Sequence, residues 1–587
     1  SEGQYLNSQG QPSSFSILQD SNYNNYTYQI TVEKELSKYK EVLLNLLHPS
    51  GMKLLGRYKM ESSNTYNISG QESLFQGQTL YYYTNRAASN AVIYSDFTNK
   101  SNNKKFGGIV LTLGGPIGDN PMVPKKYNMK KTILSLLFGV LSIGLNAQFF
   151  EKVNYIGALP SNPSGDWTKG WVNWTPKSTP YGDVTDSVTL KSSTGEVDIT
   201  ATLTLDPSKV YLLQSMVVVK EGGKLIIPAG TVIRGLANPQ STPKQYATIV
   251  VERGGLIQVE GTKTNPVVMT SAKKIGQRDR GDWGGLLLAG KATNNQGIGI
   301  QMEGFNNVAF NNQLAKHGGI VDNDNSGSVS YLRIEFGGYA FEPNKEINGL
   351  TFCSVGSTTT IDNVQVSYSG DDSYEWFGGS VNCKHLIAFK GTDDDFDTDF
   401  GYHGAVQFGI AFKDSSYYDL SWNAPSGAST SECFESDNDA AGSGKLPYTS
   451  AIFSNMTCVG PVPAGMSWNQ LSKYPQGAFR RGARIRRNSR LSIVNSIFMG
   501  YRNFVMFDGD STLTASGVKS GTFSQTGNLF RNNFISSPKA GAPAGATNTG
   551  LAEVDSKNTP QALDAWIRDS SNYNTIDTMS FVPGGIL

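Results

Sequence analysis

Two acidic runs carry the densest chemistry in the chain. Gly370-Asp371-Asp372-Ser373-Tyr374-Glu375 is followed by Thr392-Asp393-Asp394-Asp395-Phe396-Asp397-Thr398-Asp399, and the two align without a gap at an offset of 22 residues. A structural repeat at that interval stacks Asp371 on Asp393, Asp372 on Asp394 and Glu375 on Asp397. Neighbouring strands lie about 4.8 Å apart. Like charges at that spacing raise one another's pKa unless solvent separates them or a cation bridges them. One expectation is a solvated acidic turn surface. A second is Ca²⁺, which takes roughly six to eight hard oxygens at about 2.3–2.6 Å in tolerant geometry; its expected ligands are Asp371, Asp372, Asp393, Asp394, Asp395, Asp397 and Asp399. A third is acid–base cleavage of a glycan by paired carboxylates, with Asp394, His403 and Arg484 as candidates.

Other residue types narrow these options. A transition-metal centre is not expected, because only His317, His385 and His403 lie beyond the first part of the chain. Asp322-Asn323-Asp324 begins like a calcium loop, but Arg333 stands twelfth where a bidentate glutamate is needed, so it is no EF-hand. Arg480, Arg481, Arg484, Arg486, Arg487 and Arg490 form one basic cluster. On a strand Arg484 and Arg486 share a face, where they either fork onto an acidic ligand or pair with the acidic ladder. Aromatic residues lie among the acids, and sugar stacking competes there with core packing. The ligand-binding candidates are therefore Glu375, Trp376, Tyr402, Arg484 and Arg486.

Composition sets the frame for that chemistry. The chain has 64 glycines in 587 residues and only 17% charged residues, with 38% hydrophobic and 11% aromatic content. That is enough apolar material for a core and excludes global disorder. A net charge of +1 gives no field to gather nucleic acid. The cysteines Cys353, Cys383, Cys433 and Cys458 lack the close spacing of a zinc site and leave free thiols or bridges equally open.

The elements that position the acids are short β-branched runs between Gly, Asn and Asp. The run starting at Val217 recurs at Ile249, with Gly222-Gly223 and Gly254-Gly255 offset by 32 residues, and Ile387-Ala388-Phe389-Lys390 recurs 23 residues on at Ile410. Fixed periods of this size, with local insertions, predict an all-β fold, a right-handed parallel β-helix whose coils stack and whose turns lengthen into lateral loops. The insertions are expected at Asn238 to Tyr246, Lys291 to Gly319 and Ala424 to Pro447. End caps are expected from the Trp167 to Trp174 segment and from a helix over Thr559 to Ile567.

Upstream, Met129 to Ala147 reads as a secretory signal. Lys130 and Lys131 precede an apolar run, Ile133 to Leu145, that is too short to span a bilayer, and Ala147 precedes the expected cut. The expected division is 1–128 a small separate N-terminal module, 129–147 the signal peptide, 148–190 a cap or linker, 191–537 the β-helix and 538–587 a C-terminal cap or tail. The first module is expected to hold one amphipathic helix from about Val32 to Leu47. A signal inside a chain implies either two joined polypeptides or a virion protein whose first module anchors a distal β-structure.

Three resemblances follow from these residues. Residues from about Phe150 to Ser537 resemble a group of Bacteroidota exported proteins associated with type IX secretion. The motifs are GDWGG at 281, SGSVSYLRIEFGG at 326, INGLTF at 347, GDDSYEWFGGSVNCKH at 370, DDDFDTDFG at 393 and FESDNDA at 434. That resemblance implies a pectin-lyase-like β-helix and export, to the cell surface or exterior of a Gram-negative bacterium; the short apolar run leaves no integral membrane span expected in the mature protein, and the net charge of +1 no nucleic-acid partner. With possible ligands of the acids taken as Ca²⁺, the expected function is a secreted or surface β-helix that presents loops to an extracellular polysaccharide or surface protein. Polygalacturonase-type hydrolases are similar in carrying clustered aspartates, a His-Gly and an Arg-Ile-Lys element, which here meet Asp371-Asp372, Asp393 to Asp395, His403-Gly404 and Arg484-Ile485-Arg486. They imply the alternative of a glycoside hydrolase or polysaccharide lyase. The stretch from Ile17 to Met60 is similar to structural proteins of tailed phages, which implies a tail-spike-like virion protein as a further alternative.

Overall fold

The computed structural model describes residues 149–181, 187–237, 246–304, 316–339, 347–419, 430–462, 481–509, 511–512, 529–537, 552–554 and 561–577, and seven strands within residues 1–148. The chain divides into two compact units, Ser1–Gln148 and Phe149–Leu587. In the first, the strands form one sheet in chain order; its pairs are antiparallel except Thr27–Val32 with Lys53–Lys59. Val32, where the sequence predicts a helix to begin, instead closes a strand. The rest of that helix and the expected signal peptide fall outside the described residues.

The second unit is a parallel β-helix. Its strands gather into a 17-stranded sheet and an 11-stranded sheet, and every described pairing within them is parallel between successive coils. The repeats set the register: Val217 pairs with Ile249, Val364 with Leu386 and Ile387 with Ile410. Early coils supply two short strands to the larger sheet. From Gly327–Glu335 to Ile452–Val459 these merge, since the first of these strands pairs with both Leu256–Glu260 and Val267–Ser271, and they part again at Ser492–Val494 and Ile497–Met499. At the seam the backbone turns through one left-handed residue per coil: Tyr331, Asn363, His385, Phe408, Asn455, Asn495 and Asn532, with φ from 49° to 64°. Asparagine tolerates that conformation, and its amide links coils, as Asn532 Nδ2 donates to Asn495 Oδ1 at 2.7 Å.

Period-2 alternation turns one side chain in two toward the core. In the smaller sheet one inward line runs Val217, Ile249, Leu286, Leu350, Tyr374, Phe396, Phe434, Ala483, Val505. All of these lie in the main core cluster. Apolar area removed from water contributes about 25 cal/mol per Å², so each added coil extends the stabilising stack. The solenoid runs past residue 537: Ala552–Val554 pairs with Asn503–Asp508, and Thr575–Asp577 with Phe534–Ser536. Between them the Gln561–Arg568 helix buries Leu563 and Ile567.

The tryptophan segment does not cap an end of the stack. It lies as a strap across the outer face of the larger sheet. Gly157 N–H donates to the Asn495 carbonyl at 2.7 Å, Asn173 N–H to Gln365 Oε1 at 2.9 Å, and Arg234 donates to the Tyr181 carbonyl at 3.0 Å. Trp171 packs edge-on against Tyr331 and Trp174 against Phe389, in a cluster with Phe336, Tyr368 and Ile410. The physical reason is an outer sheet face that carries aromatic residues and needs cover.

Candidate functional site

The outward positions of the smaller sheet form a second line, in register through Val218, Val250, Leu287, Thr351, Glu375, Asp397, Glu435, Arg484 and Met506. One face thus passes from apolar to acidic to basic. Its apolar end is covered by Tyr246, Met302 and Ile347. Its acidic middle is joined by the turns that lead into the strands, which carry Asp371, Asp372, Asp393 and Asp394.

Here the carboxylates converge. Three groups, Asp371 with Asp372 and Asp393, Asp372 with Glu375 and Asp397, and Asp394 with Asp397 and Glu435, each place their oxygens within 4.8 Å of one another. Opposed ligands of a Ca²⁺ ion lie about 4.6–5.2 Å apart, so the spacing suits that ion. The backbone fixes the turns: Asp394 N–H donates to Asp372 Oδ1 at 2.8 Å, and Ser373 N–H to the Asp394 carbonyl at 2.9 Å. Asn348, 3% exposed, donates its amide to Glu375 Oε2, while its own Oδ1 is buried with no hydrogen-bond partner. Asp397 Oδ1 is buried without a partner as well. Among the described residues, no lysine or arginine forms an ion pair with Asp372, Glu375, Asp394 or Asp397. Burial first, and neighbouring carboxylates second, push all four well above the usual carboxylate range. A buried acidic group of this kind takes up either protons or a cation.

Arginines close the far side. Arg484 reaches Glu435 at 3.2 Å and Asp508 at 2.7 Å, and Arg486 reaches Asp437 at 2.7 Å and Glu435 at 2.5 Å. Arg481 meets Glu432 at 2.7 Å with both side chains buried. Burial alone would raise Glu432, but Arg481 and Arg484 hold it below the usual range. Of the two roles the sequence offers Arg484 and Arg486, a fork for an acidic ligand or pairing with the protein's own acids, they take the second.

Several expected site residues lie elsewhere. Trp376 and Tyr402 are wholly buried in the core, Trp376 stacked on Phe352 at 5.3 Å and on Tyr402 at 5.4 Å, because alternation turns Trp376 away from the face of Glu375. Neither offers a surface for a sugar. Asp395 points inward, fully buried, with its Oδ1 3.3 Å from Lys413 Nζ. Asp399 stands outside the three close groups and accepts from the Phe400 amide at 2.6 Å. His403 bonds the Gly401 carbonyl at 2.8 Å and sits 3.8 Å from Asp322, so it is not brought to Asp394. The carboxylates of Asp322 and Asp324 accept from the backbone amides of Thr293 and Lys291. Sequence reasoning missed Glu435 and Asn348 as members of the site. The signal for Glu435 was Phe434-Glu435-Ser436, which repeats Phe396-Asp397-Thr398 after an insertion.

Stacked parallel coils with an acidic cluster on one outer face define the chain as a parallel β-helix protein with a candidate cation site. A family model described as a pectate-lyase like beta helix domain matches residues 197–569, and the chain belongs to that family. No curated protein and no solved structure matches it. Among the described residues no helix is long and apolar enough to cross a membrane.

Proposed function

We propose that this protein is an exported β-helix that binds Ca²⁺ in the cluster formed by Asp371, Asp372, Glu375, Asp393, Asp394, Asp397 and Glu435, and presents the adjoining surface to an acidic extracellular polysaccharide. The observation that carries this reading is the Asp372, Glu375 and Asp397 group, close enough for one ion, beside the unpartnered oxygens of Asn348 and Asp397. Hard oxygen donors without nitrogen or sulfur favour Ca²⁺ over transition metals. Such an ion, when bound, supplies the positive charge that buried carboxylates need and that uronate groups recognise. Half-buried Asp371 and Asp393 place one group at the rim, where a glycan carboxylate has access. Export rests on the charged, apolar and small-residue regions of Met129 to Ala147, and the motif resemblance makes a Gram-negative cell surface the destination.

Binding is favoured over catalysis because Arg484 and Arg486 are held in ion pairs and His403 lies away from the cluster. Calorimetric titration of the chelator-treated protein with Ca²⁺, then with polygalacturonate, tests the reading. Saturable Ca²⁺ uptake followed by Ca²⁺-dependent polysaccharide binding is expected. No Ca²⁺ uptake overturns it. Release of reducing ends or unsaturated uronate that Asp394→Asn abolishes would make the protein a polysaccharide-cleaving enzyme instead.

A further inference from the structure

Cys433 and Cys458 lie 25 residues apart in sequence, and both are wholly buried in the main core cluster. Their sulfurs are 2.8 Å apart. That is well inside the separation at which two unbonded sulfur atoms rest, and only somewhat longer than a sulfur–sulfur bond of about 2.05 Å. The approach is built into the coil. Cys458 is held by strand pairing to Ala411 on one side and Phe498 on the other. The Cys433 carbonyl accepts from the Phe396 amide at 2.9 Å, immediately before the Phe434–Ser436 strand. Two sheets of one coil therefore hold the thiols facing each other across the interior. Cys353 packs in a separate apolar cluster on the outer face.

We infer that Cys433 and Cys458 form a disulfide that staples the two sheets of this coil, the coil whose Phe434–Ser436 strand carries Glu435 of the acidic cluster. The oxidant is a disulfide-bearing thiol oxidant, such as oxidised glutathione or a dithiol oxidoreductase. One cysteine thiolate attacks its disulfide, forming a mixed disulfide and releasing one thiol. The second cysteine then attacks the mixed disulfide and releases the other thiol. The protein pair loses two electrons and two protons, and the oxidant is reduced to two thiols. Burial raises both cysteine thiols above their usual range, and neither is open to solvent. Exchange therefore belongs to the folding chain, before the coil closes.

The test is peptide mapping of the full chain, refolded from denaturant in a glutathione redox buffer, quenched with acid and alkylated under denaturing conditions. The expected result is a linked peptide joining Cys433 to Cys458, lighter by two hydrogens than the sum of its parts, with Cys353 and Cys383 alkylated. Reduction should release the two peptides. The linked peptide should be missing from the Cys433→Ala/Cys458→Ala variant, and reductant should lower the thermal midpoint of the wild type but not of that variant. Alkylation of all four cysteines, or a bridge between any other pair, overturns the inference. The result is independent of cation binding, so either reading can fail without the other.

Discussion

Glu375 and Asp397 occupy the same outward position one coil apart: they are register partners in parallel strands, and with Asp372 their oxygens lie within 4.8 Å of one another. A native state that places these acids together is stabilised by whatever neutralises them. Ca²⁺ at a hundred times its dissociation constant should add about 2.7 kcal/mol by mass action. Thermal denaturation in Ca²⁺ and in chelator checks this. Asp397→Asn and Glu375→Gln should each lose most of the Ca²⁺-dependent gain, and an unchanged midpoint in the wild type would count against a cation here.

Lys413 and Asp395 form a second, inward pair. Both are fully buried, and Lys413 also donates to the Asp393 carbonyl. Burial pushes Asp395 up to about 7 against the opposing pull of Lys413. Removing one partner of a buried pair leaves an uncompensated polar group, at a typical cost of about 3–5 kcal/mol. Lys413→Met should therefore destabilise strongly, and Lys413→Met/Asp395→Leu should recover most of the loss. Denaturant midpoints of the two variants decide it; a double variant no better than the single would locate the effect in packing instead.

His317 predicts an acid sensitivity away from the cluster. It is fully buried beside Ser354 Oγ at 2.9 Å, and burial, aided by Arg253, lowers its pKa to about 3. The folded value lies below the unfolded one of about 6.5, so acid protonates the unfolded chain first. The stability contributed by neutral His317 is complete above about pH 6.5 and is lost as pH falls toward 3, amounting to roughly 2 kcal/mol at pH 5. Stability measured between pH 7 and 5 in saturating Ca²⁺ should fall less steeply for His317→Asn than for the wild type. Equal slopes would remove His317 from the acid response.

Trp171 is the anchor of the strap. It is 1% exposed and packs on Tyr331. Truncating a buried tryptophan costs about 3–5 kcal/mol, so Trp171→Ala should lower the unfolding free energy by an amount in that range and move the denaturant midpoint down accordingly. Hydrogen exchange should quicken along the Gly327–Glu335 strand and its neighbours beneath the strap. A variant as stable as the wild type would reduce the strap to a surface ornament.

The fold was largely legible in the sequence because repetition is a direct imprint of stacking. The offsets of 22, 23 and 32 residues are the pairings observed for Glu375 with Asp397, Leu386 with Gly409 and Val217 with Ile249. The stacked acids followed from the same offsets. What alternation alone does not fix is the direction of residues in turns, where strand geometry has not yet begun. Asp394 faces the cluster and its neighbour Asp395 faces Lys413. Glu435 was hidden by the insertion that lengthens its offset from Asp397 to 38 residues. The strap was misplaced because a tryptophan-rich segment beside a solenoid suits an end and a flank equally well, and only the aromatic outer face of the larger sheet distinguishes them.

The strap reverses the usual order in which a solenoid is completed. Coils that touch only their neighbours can form one after another as the chain emerges. Gly157 is made early, yet its hydrogen-bond partner Asn495 is made hundreds of residues later. Tyr155 likewise waits for Asn455, and Ala158 for Thr457. The first residues of the strap, made before any coil, therefore dock only once the coils of Asn455 and Asn495 exist, whereas Trp171 and Trp174 are covered as soon as Tyr331 and Phe389 are in place. During synthesis, the start of the strap stays without its partners until the coils that carry Asn455, Thr457 and Asn495 are available to receive it.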